Sequence, residues 1–141
     1  MPTDPVKIAA ADVAPNRRRG GDIRVLLSPT TVGATSGFLG VLNLPPGEYV
    51  SEHYHPYSEE FVYLVSGSLV IRVDDVEVAM APGEALLVAK NARHRLMNTG
   101  AEDVLAVFQL SPLAPRPELG HVDTEPLREP AIQAPDVGGV T

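Results

Sequence analysis

The residues of this chain that are best suited to chemistry are three histidines and a carboxylate. His53 and His55 stand one residue apart, Glu60 follows shortly after them, and His94 comes from a distant part of the chain. On a β-strand, side chains two positions apart point to the same face, so His53 and His55 can share one target. A carboxylate and a third imidazole would complete a set of donors for a transition-metal ion. Three of the 4 histidines fall in this pattern, which predicts a metal site.

The fourth protein ligand has two candidates at this point. One is Glu60, and the other is the remaining imidazole, His121, if the tail that carries it folds back. A simple exposed tail position is the alternative for His121. If Glu60 does not bind the ion, it is a candidate catalytic base or a hydrogen-bonding partner beside the site. Since the chain has no cysteine, we expect one divalent transition-metal ion held by histidine, carboxylate or water, with zinc first and iron, nickel, cobalt or manganese as alternatives.

Composition limits the class of protein. The chain has 141 residues, of which 44% are hydrophobic, as expected for one folded domain. Its net charge of −7 argues against nucleic-acid binding, and the short basic run 17–19 is expected to be a solvated loop. No apolar run is long enough to cross a bilayer, and the N-terminus lacks the pattern of a secretory signal. We therefore expect a cytoplasmic protein that does not bind membranes.

Short β-like runs separated by turn residues fill the chain from residue 22 onwards and predict an all-β fold. The predicted strands are 23–27, 37–44, 60–65, 68–73, 76–80, 85–88, 94–98 and 104–110. Regular short strands of this kind are typical of an antiparallel sandwich or barrel. Residues 1–21 are expected to form an extended arm, residues 22–111 the β-barrel, and the proline-rich residues 112–141 an extended tail that packs on the barrel or frays.

Alternation along the strands predicts which side chains face inward. If Glu60 points inward, Val62 and Leu64 do so too, and the residues between them form an apolar outer face. That face consists of Phe61, Tyr63 and Val65, and we expect another sheet, the arm or a second subunit to cover it. The inward apolar residues are candidates for a substrate cavity, with ordinary core as the alternative for each. They are Phe38, Val62, Leu64, Leu69, Ile71, Val73 and Leu96.

The spacing of glycines around the histidines resembles a known family. The segment 47–67 resembles the complete first conserved motif of the cupin superfamily, with both histidines and Glu60 at its ligand positions. A second motif would begin at Gly83 and place His94 and Asn98 at its histidine and asparagine positions. The second match departs from the motif at two positions: Ala89 stands where proline is usual, and Asn91 stands where glycine is usual. Asparagine tolerates the left-handed backbone, so we expect the turn to survive. The resemblance implies a cupin-type jelly-roll barrel with ligands facing inward, and it favours Glu60 as fourth ligand.

A narrower resemblance lies around these motifs. The stretch 53–61 and the tail 110–125 are similar to single-domain cupin cyclases of bacterial aromatic (type II) polyketide pathways. The resemblance implies a metal-dependent cyclase or aromatase that closes and dehydrates a ring in a poly-β-ketone, in antibiotic or pigment biosynthesis. The implied partner is an aromatic polyketide intermediate, free or on an acyl carrier protein. The apolar outer face adds the expectation of a homodimer.

Two other classes remain open from the sequence. A metal-dependent cupin dioxygenase would need a redox-active metal with open positions for oxygen. A non-catalytic cupin would hold a small molecule without converting it. A sugar-phosphate isomerase is disfavoured, because it would need an inward Lys or Arg, and alternation turns the one plausible candidate, Arg72, away from the interior.

Overall fold

The protein folds as two facing antiparallel β-sheets, here described for residues 4–138 in a computed structural model. The strands are β1 (Asp22–Leu27), β2 (Phe38–Leu44), β3 (Tyr49–Tyr54), β4 (Glu59–Ser66), β5 (Leu69–Val73), β6 (Val76–Met80), β7 (Ala85–Val88), β8 (His94–Met97), β9 (Val104–Ser111) and β10 (Val122–Asp123). One sheet has the order β1-β2-β9-β4-β7 and the other β10-β3-β8-β5-β6. The predicted all-β jelly-roll class is confirmed.

Helical structure is limited to short turns in the part of the chain that the structure describes. That part contains one α-helical turn, α1 (Pro29–Val32), and two 3₁₀ turns at Ala10–Asp12 and Pro117–Leu119. Within residues 4–138, no helix is long and apolar enough to span a membrane.

The hydrophobic core lies between the two sheets. One sheet contributes inward residues such as Leu44 and Leu64, and the other contributes Leu69 and Ile71, all at most 1% exposed. At one end the side chain of Asn98 closes this core. It donates hydrogen bonds to the carbonyls of Leu44 and Glu102, both at 2.8 Å, so a buried amide is satisfied without water.

All eight strands predicted from the sequence are present, with ends within one residue of the prediction. The strand β3 was missing from the predicted runs, although the pairing of His53 with His55 had assumed strand geometry there. Its four central residues, 50–53, are all buried instead of alternating between buried and exposed, so the usual period-two signal is absent. The two-residue strand β10 is too short to give any sequence signal.

A bulge in β3 explains the broken pattern. Val50 pairs with Leu96 of β8, and His53 pairs with His94, so β3 carries one more residue than β8 between these two pairs. Strict alternation from the inward Val50 would turn His53 outward. The extra residue restores His53 to the inner face, which is the usual effect of a β-bulge. The bulge is therefore what aims the first histidine at the others.

The turn before β8 follows the expectation from the second motif. Asn91 has a φ of 68°, the left-handed conformation for which asparagine is among the best-tolerated residues after glycine. Its amide donates to the carbonyl of His55 at 3.0 Å. This turn thus ties the segment that carries His55 to the loop that leads into His94.

The C-terminal segment 112–138 lies back on the barrel. The strand β10 pairs with β3, and Asp123 stands opposite His53 in the register. Further on, the backbone amide of Glu129 donates to the carbonyl of Arg18 at 3.0 Å, and Asn16 donates to the carbonyl of Gln133 at 2.8 Å. The segment from 16 to 18 therefore anchors the tail rather than extending into solvent.

Candidate metal centre and cavity

Three histidines from different parts of the barrel converge at one point. Within residues 4–138, His53, His55 and His94 form a cluster in which one ligand nitrogen of each lies within 4.8 Å of the others. His53 belongs to β3, His94 begins β8, and His55 lies just beyond the end of β3. Their ring centroids are 4.4 to 5.1 Å apart. The predicted juxtaposition of the three imidazoles is present.

Each ring is oriented by a backbone carbonyl. Nδ1 of His53 contacts the carbonyl oxygen of Ser51 at 2.7 Å, and Nδ1 of His94 contacts that of Ala92 at 2.9 Å. Nδ1 of His55 contacts the carbonyl oxygen of Gly120 at 2.9 Å. A carbonyl only accepts hydrogen bonds, so Nδ1 carries the proton in all three rings. The lone pair of each neutral ring is then on Nε2, the arrangement usual for metal-binding histidines.

Glu60 lies close to two of the three histidines. Its Oε2 is 2.7 Å from Nε2 of His94 and 3.8 Å from Nε2 of His55. The contact with His55 is too long for a hydrogen bond and the contact with His94 lacks hydrogen-bond geometry, so Glu60 Oε2 and both Nε2 atoms are buried without a hydrogen-bonding partner. Buried polar atoms are rarely left unpaired, and a shared cation would satisfy all three. The residues present therefore fit a divalent metal ion.

Burial and mutual contact set the protonation of the site. Burial lowers the pKa of His53 well below its usual value and also lowers that of His55. Burial acts in the same direction on His94, but the charge and close contact of Glu60 outweigh it and raise the pKa of His94. Burial alone would raise the pKa of Glu60, and His94 reverses this, so the pKa of Glu60 is lowered. Without a metal, the site holds an ionised Glu60 beside a His94 that is the most readily protonated of the three histidines.

His121 lies at the wall of the same cavity but outside the three-histidine cluster. Burial and the positive charge of Arg19 lower the pKa of His121 to about 4, so it is neutral at physiological pH. The tail nevertheless contributes to the site through the residue before it, because the carbonyl of Gly120 orients His55. Sequence reasoning identified the right segment of the tail but not this backbone contact, which no side-chain pattern could indicate.

An apolar cavity opens onto the histidine cluster. Of the predicted lining residues, Phe38, Val62 and Leu96 line it. The other four do not, because Leu64, Leu69 and Ile71 fill the packed core and Val73 packs against that core. Lining residues that the prediction omitted come from β1, β2, β3, β9 and the tail, and they include Ile23, Val25, Leu42, Val50, Ala106, Phe108, Leu110, Leu113 and Val137. Phe108 could have been found, since alternation from Ala106 and Leu110 in β9 places it inward.

Arg19 is the main departure from the sequence prediction. The run 17–19 was expected to be solvated, yet Arg19 lines the cavity and its side chain is only 11% exposed. Its Nε donates to Oδ1 of Asp123 at 2.8 Å. Arg72, the inward candidate that alternation rejected, does point away from the interior and pairs with Glu52 at 3.3 Å. The cavity thus contains a guanidinium that alternation could not reveal, because Arg19 precedes the first strand.

The comparisons with known proteins agree with this architecture. The sequence pattern of the cupin domain family matches residues 40–109. The tetracenomycin polyketide synthase protein TcmJ of Streptomyces glaucescens is 58% identical over 94% of this chain and 89% of its own length.

The chain belongs to the cupin family.

Other relatives of this cupin are similar over most of their length. The protein SchB of Streptomyces halstedii is 59% identical over 88% of this chain and 90% of its own length. The polyketide synthase CurC of Streptomyces cyaneus is 53% identical over 86% of this chain and 79% of its own. Among solved structures, that of a predicted oxalate decarboxylase from Thermotoga maritima covers 77% of this chain and all of its own, with a TM-score of 0.67 and 23% identity. That likeness concerns the fold alone.

Proposed function

We propose that this cupin is a metal-dependent cyclase of polyketide biosynthesis, which closes an aromatic ring in a poly-β-ketone by aldol condensation and dehydration. The observation that carries the proposal is an apolar cavity that ends at three converging imidazoles and a buried carboxylate. The names of two relatives, both polyketide synthase proteins at 58% and 53% identity, support the substrate class.

The proposed metal ligands are His53, His55 and His94 through Nε2, with Glu60 as the fourth. Glu60 is favoured over His121 because its Oε2 already lies 2.7 and 3.8 Å from two of the ligand nitrogens. Three imidazoles and a carboxylate suit zinc, and they also suit iron(II) or manganese(II). A divalent ion held there would act as a Lewis acid on a ketone oxygen of the substrate.

The residues of the chain account for the rest of the reaction. The apolar walls hold a flexible poly-β-ketone with one methylene near one distant carbonyl, which replaces a costly search through conformations. A base removes a proton from that methylene, and its carbon then forms the new bond to the carbonyl carbon. The carbonyl oxygen takes up a proton, and loss of water leaves the double bond of the ring. If Glu60 is not bound to the ion, its ionised carboxylate is the base.

Substitution of Glu60 by glutamine separates these two roles. Glutamine keeps the shape of the side chain but removes its charge and basicity. Retained metal with lost ring closure would assign Glu60 as the base, whereas loss of metal would assign it as a ligand. Metal content by elemental analysis and product pattern by chromatography with mass spectrometry provide the two readouts.

The cyclase proposal is tested by adding the protein to a ketosynthase pair and an acyl carrier protein that make the poly-β-ketone. We expect the metal-loaded protein to redirect spontaneous products to one regiospecific ring, and the same protein after chelation to lose this effect. Offering the chain both free and attached to the carrier shows which form is used. An unchanged product mixture would contradict the proposal, and oxygen uptake by an iron- or manganese-loaded sample would favour a dioxygenase instead.

We further propose that the protein is a homodimer. The apolar outer face of β4 is formed by Phe61, Tyr63 and Val65, which are 43%, 46% and 42% exposed. Leu87, the neighbour of Phe61 in β7, is 50% exposed and extends this face. Neither the arm nor a sheet of residues 4–138 covers it, so two of the three alternatives considered from the sequence do not apply. A second copy of the chain is the remaining candidate, since contiguous exposed apolar patches usually mark an interaction surface.

A further inference from the structure

The backbone of the loop before β1 holds Arg19 at the cavity. The loop before β1 lies against β3, where the carbonyl of Arg19 accepts a hydrogen bond from the amide of Ser51 at 2.8 Å. The next residue, Gly20, has a φ of 104°, and a Cβ there would lie 2.1 Å from the carbonyl oxygen of Tyr49. Only glycine permits this close approach. The loop therefore holds Arg19 beside the strand that carries His53.

Most of the hydrogen-bonding capacity of this guanidinium is unused. An arginine offers five N–H donors, and among residues 4–138 only Nε of Arg19 has a side-chain partner, Asp123. Its Nη2 is buried without a partner. A buried donor left unpaired is costly, so an acceptor oxygen supplied by a ligand would stabilise this group.

Arg19 lines the same cavity as His53, His55 and Glu60, so its charge adds to the charge of the ligand site. With a divalent ion at the histidines, the cation and Arg19 together outweigh the carboxylates of Glu60 and Asp123 by one positive charge. A ligand that carries one negative charge would neutralise this excess.

We propose that Arg19 binds an anionic oxygen of the ligand, so that the natural ligand of the cavity is a carboxylic acid or an enolised β-dicarbonyl with an otherwise apolar body. The apolar body of the ligand is inferred from the cavity walls, which are formed by side chains such as Leu42, Val62 and Phe108. The inference rests on the proposed function only in taking the histidine-lined cavity as the ligand site. It adds a charge requirement that neither the metal nor the apolar walls would impose.

The test compares three probes of similar size by isothermal titration calorimetry on the full-length protein, as purified and again after chelation. The probes are 2-naphthoate, the β-diketone 2-naphthoylacetone and the neutral ketone 2-acetylnaphthalene. We expect Arg19→Met to weaken the binding of the acidic probes by roughly tenfold to a hundredfold, the usual value of a hydrogen bond to a charged group. Binding of the neutral ketone should change by less than about twofold. The acidic probe with the larger loss identifies the carboxylate or the enolate as the preferred ligand.

Three further variants separate ligand binding from a structural role. Arg19→Lys keeps the charge and should restore part of the affinity. Asp123→Asn removes the negative charge that pairs with Arg19 but leaves the guanidinium, so it should keep or increase the affinity for the acidic probes. If Arg19 only anchored the tail, Asp123→Asn would weaken binding as much as Arg19→Met. Arg17→Met is the matched control, because Arg17 is in the same run with a side chain that is 49% exposed.

Several results would overturn the inference. They are an equal loss for acidic and neutral probes, no loss in Arg19→Met, no preference of the wild type for the acidic probes, or a parallel loss in Asp123→Asn. The readout is independent of ring closure. A protein that selects acids through Arg19 but closes no ring would refute the proposed function alone, and normal ring closure with unselective binding would refute this inference alone.

Discussion

His94 and Glu60 differ from the other members of the cluster in their protonation. The pKa of His94 is raised above its usual 6.5, whereas burial keeps His53 and His55 neutral. A metal ion binds only the neutral imidazole, so it must displace a proton from His94 whenever the pH is below the raised pKa. Metal affinity should therefore rise with pH in this range and become independent of pH above it.

The number of protons that His94 releases on metal binding can be measured. Because Glu60 raises the pKa of His94, metal binding near pH 6.5 should release a proton from this residue. Well above the pKa of His94, release should fall towards zero. Calorimetric titration with zinc in two buffers of different ionisation enthalpy gives the number directly. Equal release at both pH values would show that His94 is not the protonated group.

His94 and His121 should respond differently to substitution. His94→Ala removes a proposed ligand and should lower zinc affinity by more than about a hundredfold, since even the hydrogen-bonding partners of ligands are typically worth 10–100-fold. His121→Gln should change the affinity by less than about threefold, because His121 lies outside the cluster. Competition with a chromogenic chelator measures both. A large loss in His121→Gln would reinstate it as a ligand.

Two irregular segments position residues of the site. The bulge in β3 aims His53 inward, and the loop before β1 holds Arg19 against the same strand. A sequence pattern based on alternation finds regular strands such as β4 and β8, where Glu60 and His94 face inward as predicted. The alternation pattern does not identify β3, because the bulge interrupts the alternation of inward and outward side chains there. It also misses Arg19, because loop conformation depends on contacts with a distant strand.

Two features of Gly20 should make its replacement destabilising, its close contact with β3 and its positive φ, and their effects on the free energy of unfolding can be measured separately. Gly20 and Gly83 both have positive φ, at 104° and 88°, but a Cβ at Gly83 would meet nothing within 4 Å. Gly83→Ala should therefore lower the free energy of unfolding by only about 1–2 kcal/mol, the cost of the left-handed backbone. Gly20→Ala should lower it by about 3 kcal/mol or more, because the carbonyl of Tyr49 must also move. Urea unfolding followed by circular dichroism measures both, and equal losses would argue that the loop is not pressed against β3.

Across the whole chain, the barrel and the tail form the cavity together. The barrel supplies the three clustered histidines and most of the apolar walls, while the tail supplies the carbonyl of Gly120, the carboxylate of Asp123 and further lining residues. The runs of short strands predicted the all-β class, and the resemblance of the two motifs to cupins implied a barrel with three converging imidazoles. They could not predict the lining, because the position of the tail depends on contacts between segments more than 60 residues apart, such as His55 with Gly120.

The outer face of β4 leads to a prediction about assembly. Phe61→Glu places a charge in the proposed dimer contact and should convert the dimer to a monomer at micromolar concentration. Val76→Glu is the control, since Val76 is 64% exposed on β6 of the other sheet and should leave the dimer intact. Light scattering coupled to size-exclusion chromatography distinguishes the species. A monomeric wild type would contradict the proposed dimer.

The central claim is that His53, His55 and His94 together bind one metal ion. X-ray absorption spectroscopy of the zinc-loaded protein tests it most directly, because imidazole ligands give a characteristic scattering pattern. We expect three imidazole nitrogens at about 2.0–2.1 Å with an oxygen ligand, and one imidazole fewer in His94→Ala. A wild-type spectrum with one imidazole or none, or a spectrum unchanged by His94→Ala, would contradict the claim.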